Sequence, residues 1–348
     1  MSQIRFTGAK FLISVASLIV VIAGLKAAQS ILIPILFALF LAILGSAPLY
    51  LLKRMGVPTA LSVFLVAGIM LAIAVGIGTI LAQAVNEFTT DLPRYTVRFN
   101  QLVLELDDYL AEYNLEIPTT NIFNDITPRA VMGMIGTTLR ELVSALSSTF
   151  LVFVVMLFML FEAAGFRSKL QVAMGEAFEE DRLKRVAIDV QRYLGIKTFT
   201  SAITGLGIAV LNGYMGIEFA ILWGLLAFLM NYIPFVGSIL ASIPAIIMAL
   251  VQFGFGPAIF ICIGYLVVNV VVSNFIEPVL MGRRLGLSSL VVFLSLVVWG
   301  WIWGPAGMLL SVPLTMIVKI LLEHSEEFQW VAILMDSRPR VIQKRLEV

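Results

Sequence analysis

The sequence predicts an all-α fold: a polytopic transmembrane helical protein with two broken-helix hairpins in a C-terminal inverted repeat. Three observations predict it. Hydrophobic residues make up 60% of the chain and charged residues only 13%, against about one quarter charged in soluble domains. Apolar runs recur from end to end at about 20 residues, the length a helix needs to cross hydrocarbon. Two of the runs are interrupted near their middle by helix-breaking clusters. One is Asn231-Tyr232-Ile233-Pro234-Phe235-Val236-Gly237 in an uncharged stretch at 219–276, the other Trp299-Gly300-Trp301-Ile302-Trp303-Gly304-Pro305-Ala306-Gly307 in one at 285–318.

The elements follow in order. Arg5, Lys10 and the apolar run 11–25 share the outline of a signal peptide, but no clean cleavage site follows and the next apolar run starts at Ile31. The first span is therefore read at 10–28, with others at 31–52 and 58–85. Residues 86–141 are polar and carry an apolar stripe of Phe99, Leu102, Leu106, Leu110 and Tyr113, the mark of an amphipathic helix, before Pro118 and Pro128 punctuate a loop. A fourth span is expected at 142–161, surface helices at 166–197, and a further span at 199–214. The broken run 219–251, a span at 257–276 and the broken run 287–322 complete the set. This divides the chain into residues 1–85, an extracytoplasmic region 86–141, a fourth span with cytoplasmic helices at 142–198, a core at 199–322, and a tail at 323–348.

Basic residues set the expected orientation. With a cytoplasmic N-terminus, the inner segments hold 18 of the 23 lysines and arginines, while the outer region 86–141 has nine carboxylates against four basic residues. Both termini are thus expected inside. For that parity to hold, each broken run must return to its starting side as a hairpin. The first has its tip toward the inside and the second toward the outside. A helix followed by a hairpin, repeated upside down, has the topology of an inverted repeat, an arrangement found around transport sites.

The breaks carry the first candidate residues. In hydrocarbon, non-helical backbone persists only where it is buried in protein or lines a wet cavity. Pro234 removes a donor and Gly237 permits unusual backbone angles, so freed carbonyls and the Asn231 amide can coordinate a cation or a hydroxyl; a plain capped loop is the alternative. At the second tip, Gly304 and Pro305 break the helix, and the three tryptophans suit either an interfacial belt, the favoured reading, or closure over a ligand. Glu277 is the sole carboxylate between Glu218 and Glu323. It ends a helix, where the dipole disfavours negative charge, so it needs a partner: Arg283 or Arg284, a translocated cation, or a proton. Asn269 and Asn274 extend a polar path toward Glu277 and Pro278. Lys26, Glu162 and Lys319 read as helix-end residues that snorkel, and Gly205 and Gly207 as packing contacts.

Several classes are disfavoured. One cysteine, Cys262, and one histidine, His324, exclude an intrachain disulfide and clustered metal ligands. No GxxxxGK[ST] loop is present. No Asp lies in a predicted span and no Ser is placed with a Lys or His, so neither an intramembrane aspartyl protease nor a hydrolase is supported. No enzyme activity, cofactor, metal or nucleic-acid partner is expected.

With these residues in hand, the chain resembles the autoinducer-2 exporter family of bacterial transporters, the PerM/TqsA-like permeases, over nearly its full length. The resemblance rests on the order of spans, the polar region after the third, and the segments Asn231 to Ser238, Ile276 to Gly282 with Leu285 to Ser289, Trp303 to Met308, and Ser311 to Leu314. It implies a multi-pass inner-membrane permease in the lipid bilayer, assembled as a homo-oligomer with a pentamer as the candidate state. It implies export of autoinducer-2 in some members and sodium/proton antiport in others. The expectation is thus a secondary transporter of a small polar solute, with a monovalent cation/proton antiporter as the alternative. A structural or regulatory membrane protein is the remaining class, and the broken hairpins argue against it.

Overall fold

The computed structural model describes residues 8–112, 133, 136–137, 149–174, 180–281, 287–323 and 328–336. Among them there is no strand, and five helices are long and apolar enough to cross a membrane: Gln29–Arg54, Thr59–Leu102, Ile188–Tyr214, Phe255–Leu280 and Ser289–Glu323. The chain forms two compact units. One comprises Pro48–Phe150 and Gln191–Leu285, and the other Met1–Ala47, Leu151–Val190 and Gly286–Val348.

Helices α1 (Gly8–Ala27) and α2 (Gln29–Arg54) match the first two predicted spans. Helix α3 (Thr59–Glu112) differs, running unbroken through the predicted third span and into the polar region that follows. Its 54 residues make about 80 Å at 1.5 Å per residue, far more than hydrocarbon alone requires. The stripe from Phe99 continues the apolar face of the span, and Pro93 alone does not end it. Tyr113, Pro118 and Pro128 lie outside the described residues. Helix α4 (Thr149–Met174) covers most of the fourth span.

Helix α5 (Glu180–Tyr214) corrects the expectation of surface helices at 166–197 followed by a separate span. No proline stands between Glu180 and Tyr214, and a lone Gly195 costs a helix only about 1 kcal/mol. The helix therefore propagates through, and Lys197 becomes a buried mid-helix residue.

The first broken run is a hairpin of α6 (Ala220–Met230) and α7 (Gly237–Phe253). Eleven residues span about 16 Å, short of the 30 Å core, and seventeen about 26 Å, at the lower end of what crosses it. Its ends meet where the Glu218 N–H donates to Gln252 Oε1 at 3.2 Å. That mouth is held on α3. Tyr95 donates its hydroxyl proton to Glu218 Oε2, and Phe88 packs on Tyr95, Phe219 and Trp223 with ring centroids 6.0–6.2 Å apart. Phe219 takes a left-handed conformation (φ 61°), which leaves the Glu218 carbonyl free to accept from the Trp223 indole at 2.9 Å.

Helix α8 (Phe255–Val271) packs antiparallel on α5. Gly207 faces Val268, and a Cβ on Gly264 would lie 2.5 Å from Leu211 Cδ2, so glycine sets the closeness of that approach. A π-helical turn, Val272–Ile276, joins α8 to the short α9 (Glu277–Met281).

The second broken run, α10 (Ser289–Glu323), kinks at Trp303 (φ −127°, ψ 15°) and Gly304 (φ 61°, ψ −144°). Its arms lie side by side: Trp299 Nε1 donates to Thr315 Oγ1 at 3.1 Å, and Gly300 abuts Met308. Helix α11 (Gln329–Met335) holds both open ends. The Ser288 N–H donates to the Met335 carbonyl at 2.9 Å, and Lys319 pairs with Asp336 at 2.8 Å. Lys319 is thus ion-paired and buried rather than snorkelling. Both broken runs return on themselves, as the charge parity required. The tryptophans divide their labour. Trp301 is exposed with the Lys26 ammonium 4.8 Å above its ring, whereas Trp303 is buried and donates to the Leu25 carbonyl at 2.9 Å. Trp303→Phe keeps an aromatic ring but loses that bond and part of the buried indole volume, so a loss of about 1 kcal/mol or more is expected. It should appear as a lowered Tm in detergent that Trp301→Phe does not reproduce.

Candidate functional site

The first hairpin tip and Glu277 converge on one stretch of α5. Residues 193, 197 and 201 are spaced by four and so share a helix face. Ser201 accepts from Asn231 Nδ2 at 3.0 Å, and the Tyr232 hydroxyl bonds Thr198 Oγ1 at 2.7 Å. Lys197 Nζ donates to Glu277 Oε1 and Oε2 at 3.2 and 3.1 Å. The pair is deep, with side chains 7% and 18% exposed. One turn earlier, buried Tyr193 lies within electrostatic reach of both the Glu277 carboxylate and Tyr232.

The π turn explains how Glu277 reaches this face. Pro278 has no N–H for the carbonyl four residues back, and the backbone answers by shifting register, the Glu277 N–H bonding the Val272 carbonyl five residues earlier. One extra residue per turn rotates Glu277 back toward the side of the helix that carries Tyr265 and Asn269. Such π turns recur at functional sites. A charge pair placed this far into apolar surroundings is costly unless both groups are satisfied, and in membrane proteins such pairs mark pathways or relays.

The other candidates are distributed as follows. Asn231 and Gly237 are buried at the tip, and Pro234 contributes its carbonyl to the Val236 N–H at 2.7 Å. Asn269 Oδ1 is buried without a partner. Asn274 and Pro278 are exposed and take no part in the cluster. Gly304 and Pro305 form the tip in the other compact unit. Arg283 and Arg284 lie outside the described residues, and the partner the structure gives Glu277 is Lys197. Sequence reasoning missed Lys197 and Tyr193 because it assigned 166–197 to the surface, and it passed over Thr198 and Ser201 at the start of the span that follows. The available signal was their spacing of three and four residues, which runs without interruption into the following span.

The two tips share a local geometry. A Cβ on Gly237 would sit 1.8 Å from the Met230 carbonyl oxygen and 3.1 Å from Ile233 Cβ; on Gly307, 1.9 Å from the Trp299 oxygen and 3.1 Å from Trp303 Cβ. In both arms that follow, a serine then bonds back to the carbonyl three residues earlier at 2.8 Å, Ser242 to Ile239 and Ser311 to Met308. Each serine is followed two residues later by a proline, Pro244 or Pro313. Side-chain identity between the hairpins is low, but these backbone devices recur in the same order.

A family model for AI-2E family transporters matches residues 15–327. The AI-2 transport protein TqsA of Escherichia coli K12 is 40% identical over 335 residues, covering 96% of this chain and 97% of its own length. A putative transport protein of Haemophilus influenzae is 39% identical, covering 90% and 92%. The putative transport protein YhhT of Escherichia coli K12 is 34% identical, covering 96% of each. These matches span both hairpins, the Lys197–Glu277 pair and the apolar helices that enclose them, and relatives so matched are transport proteins rather than enzymes. The chain is a multi-pass membrane transporter and belongs to the AI-2E family.

Proposed function

We propose that this protein is a secondary transporter that exports a small polar solute, chemically like autoinducer-2, across the bacterial inner membrane, with both termini cytoplasmic and the chain assembled as a homo-oligomer. The carrying observation is the convergence of Asn231, Tyr232, Tyr193 and Glu277 on α5. An amide, two phenols and a carboxylate beside aromatic rings suit a compact hydroxylated molecule. Its hydroxyls donate to Glu277 and accept from Asn231 and the tyrosines. Lys197 holds Glu277 in this structure, so an arriving solute replaces one set of donors with another and leaves no bare carboxylate. The similarity to an AI-2 transport protein supports the substrate class.

A second reading, monovalent cation/proton antiport, is favoured by the same lysine. Lys197 is a tethered cation on Glu277, and the geometry that holds an ammonium also holds a free ion or exchanges it for a proton. Proteoliposomes separate the readings. Labelled autoinducer-2 and labelled sodium are followed in parallel, with and without a proton gradient. Solute flux without sodium flux is expected; sodium flux alone would replace the first reading with the second, and neither flux would overturn both.

A further inference from the structure

Farther along the α5–α8 seam, away from the Lys197–Glu277 pair, Asn212 is 0% exposed. Its Nδ2 donates to the Ile208 carbonyl at 2.8 Å and to the Tyr265 hydroxyl at 3.3 Å, which leaves Oδ1 without a partner. Asn269, one turn beyond Tyr265 on the same face of α8, likewise has a buried Oδ1 without a partner. A bare carbonyl removed from water costs about 2–7 kcal/mol, and two in one seam call for something that satisfies them.

Helix geometry relates the two amides. Gly207 lies against Val268 and Leu211 against Gly264, which fixes the antiparallel register. Asn212 follows Leu211 and Asn269 follows Val268. In an antiparallel pair, the residue following each contact position falls on the same flank of the seam. Helical side chains incline toward their own N-terminus, and here the N-termini point in opposite directions. The two amides therefore incline toward one another, with Tyr265 between them.

We propose that Asn212, Tyr265 and Asn269 form a binding site for a dehydrated monovalent cation, separate from Glu277. The chemistry selects that class. Both bare atoms are acceptors, and the phenol oxygen retains a lone pair beside its bond from Asn212. A hydroxylated solute brings acceptors as well as donors and would bury some of its own unpaired, whereas a cation takes oxygen lone pairs alone. No carboxylate belongs to the set, so its oxygens lack the negative charge that strips water from a divalent ion. Occupancy ties α5, which carries Lys197, to α8, which leads through the π turn to Glu277. Binding of the ion does not depend on the transport reading above.

The test is equilibrium binding of labelled sodium and rubidium to the purified full-length protein by scintillation proximity, with choline as the inert replacement. Saturable binding of at least one ion is expected. Asn212→Leu and Asn269→Leu should each weaken it by about tenfold or more, a free-energy change of about 1.4 kcal/mol or more. Asn212→Asp, which adds a charge to the same position, should tighten it, an outcome a purely structural asparagine would not give. No saturable binding by the wild type, or equal binding by Asn212→Leu, would overturn the site. If the leucine variants do not fold, unchanged or weaker binding by Asn212→Asp does so. Because binding is read without flux, solute export can fail while this site stands, and the reverse.

Discussion

Lys197→Met is expected to be the most damaging substitution in the α5–α8 seam. Methionine fills the volume of the lysine stem but strips the counter-charge from Glu277, whose carboxylate then faces apolar surroundings alone. Breaking one side of a buried pair costs about 3–5 kcal/mol, whereas replacing both members with neutral groups is often close to neutral. The single variant should therefore give little monodisperse protein on size exclusion and a sharply lowered Tm, and Lys197→Met combined with Glu277→Gln should recover both. Solute flux should stay lost in the double variant, because the amide cannot accept from the solute as a carboxylate does. Wild-type flux in a well-folded double variant would reduce the pair to a structural clasp and sink the assignment of Glu277 to the pathway.

Gly237→Ala should be nearly as severe, and Gly307→Ala should match it. In each case the added methyl would lie 1.8 or 1.9 Å from a carbonyl oxygen of the preceding arm. The obstacle is backbone, not a flexible side-chain end, so the hairpin must open to admit it. Overpacking in ordinary cores costs about 1–3 kcal/mol; a clash with main chain at a tip that has no slack should reach about 4 kcal/mol, the range in which single changes are diagnostic. Gly216→Ala is the control, since its left-handed φ of 69° brings strain but the nearest atom is 3.9 Å away. Thermal unfolding in detergent should rank the three, with the two tip variants far below the control. Equal, small effects at Gly237 and Gly307 would show that the tips can spread, and would remove the close approach as the reason for glycine there.

The hairpins were legible because their signal is a contradiction within the sequence. A proline and a glycine amid uninterrupted apolar residues cannot be reconciled with a plain span, and the charge parity then requires the chain to turn back. The site's carboxylate was legible for a similar reason, as a lone charge at the unfavourable end of a helix. Its partner was not. Lys197 stands among many charged residues at 166–197, where local composition speaks for solvent, and only the continuity of α5 carries it into the interior. Continuity of a helix is a tertiary outcome as much as a local one: α5 persists because the face bearing Tyr193, Lys197 and Ser201 is covered by the hairpin tip and by α9. The same cause merged the third span with the amphipathic stripe of α3. Asn274 shows the opposite error. It stands five residues after Asn269, about 140° round a regular helix, so the two never shared a face, and Asn274 is exposed while the register shift turns Glu277 inward.

The Lys197–Glu277 contact has an electrical consequence. Ammonium and carboxylate together carry no net charge, so the membrane potential does no work on the pair as a unit. A charge that joins or leaves it is different: one elementary charge carried through the whole membrane field is worth about 2.3 kcal/mol per 100 mV, and a charge reaching the pair takes the share set by its depth. The membrane potential thus enters the occupancy of this carboxylate directly.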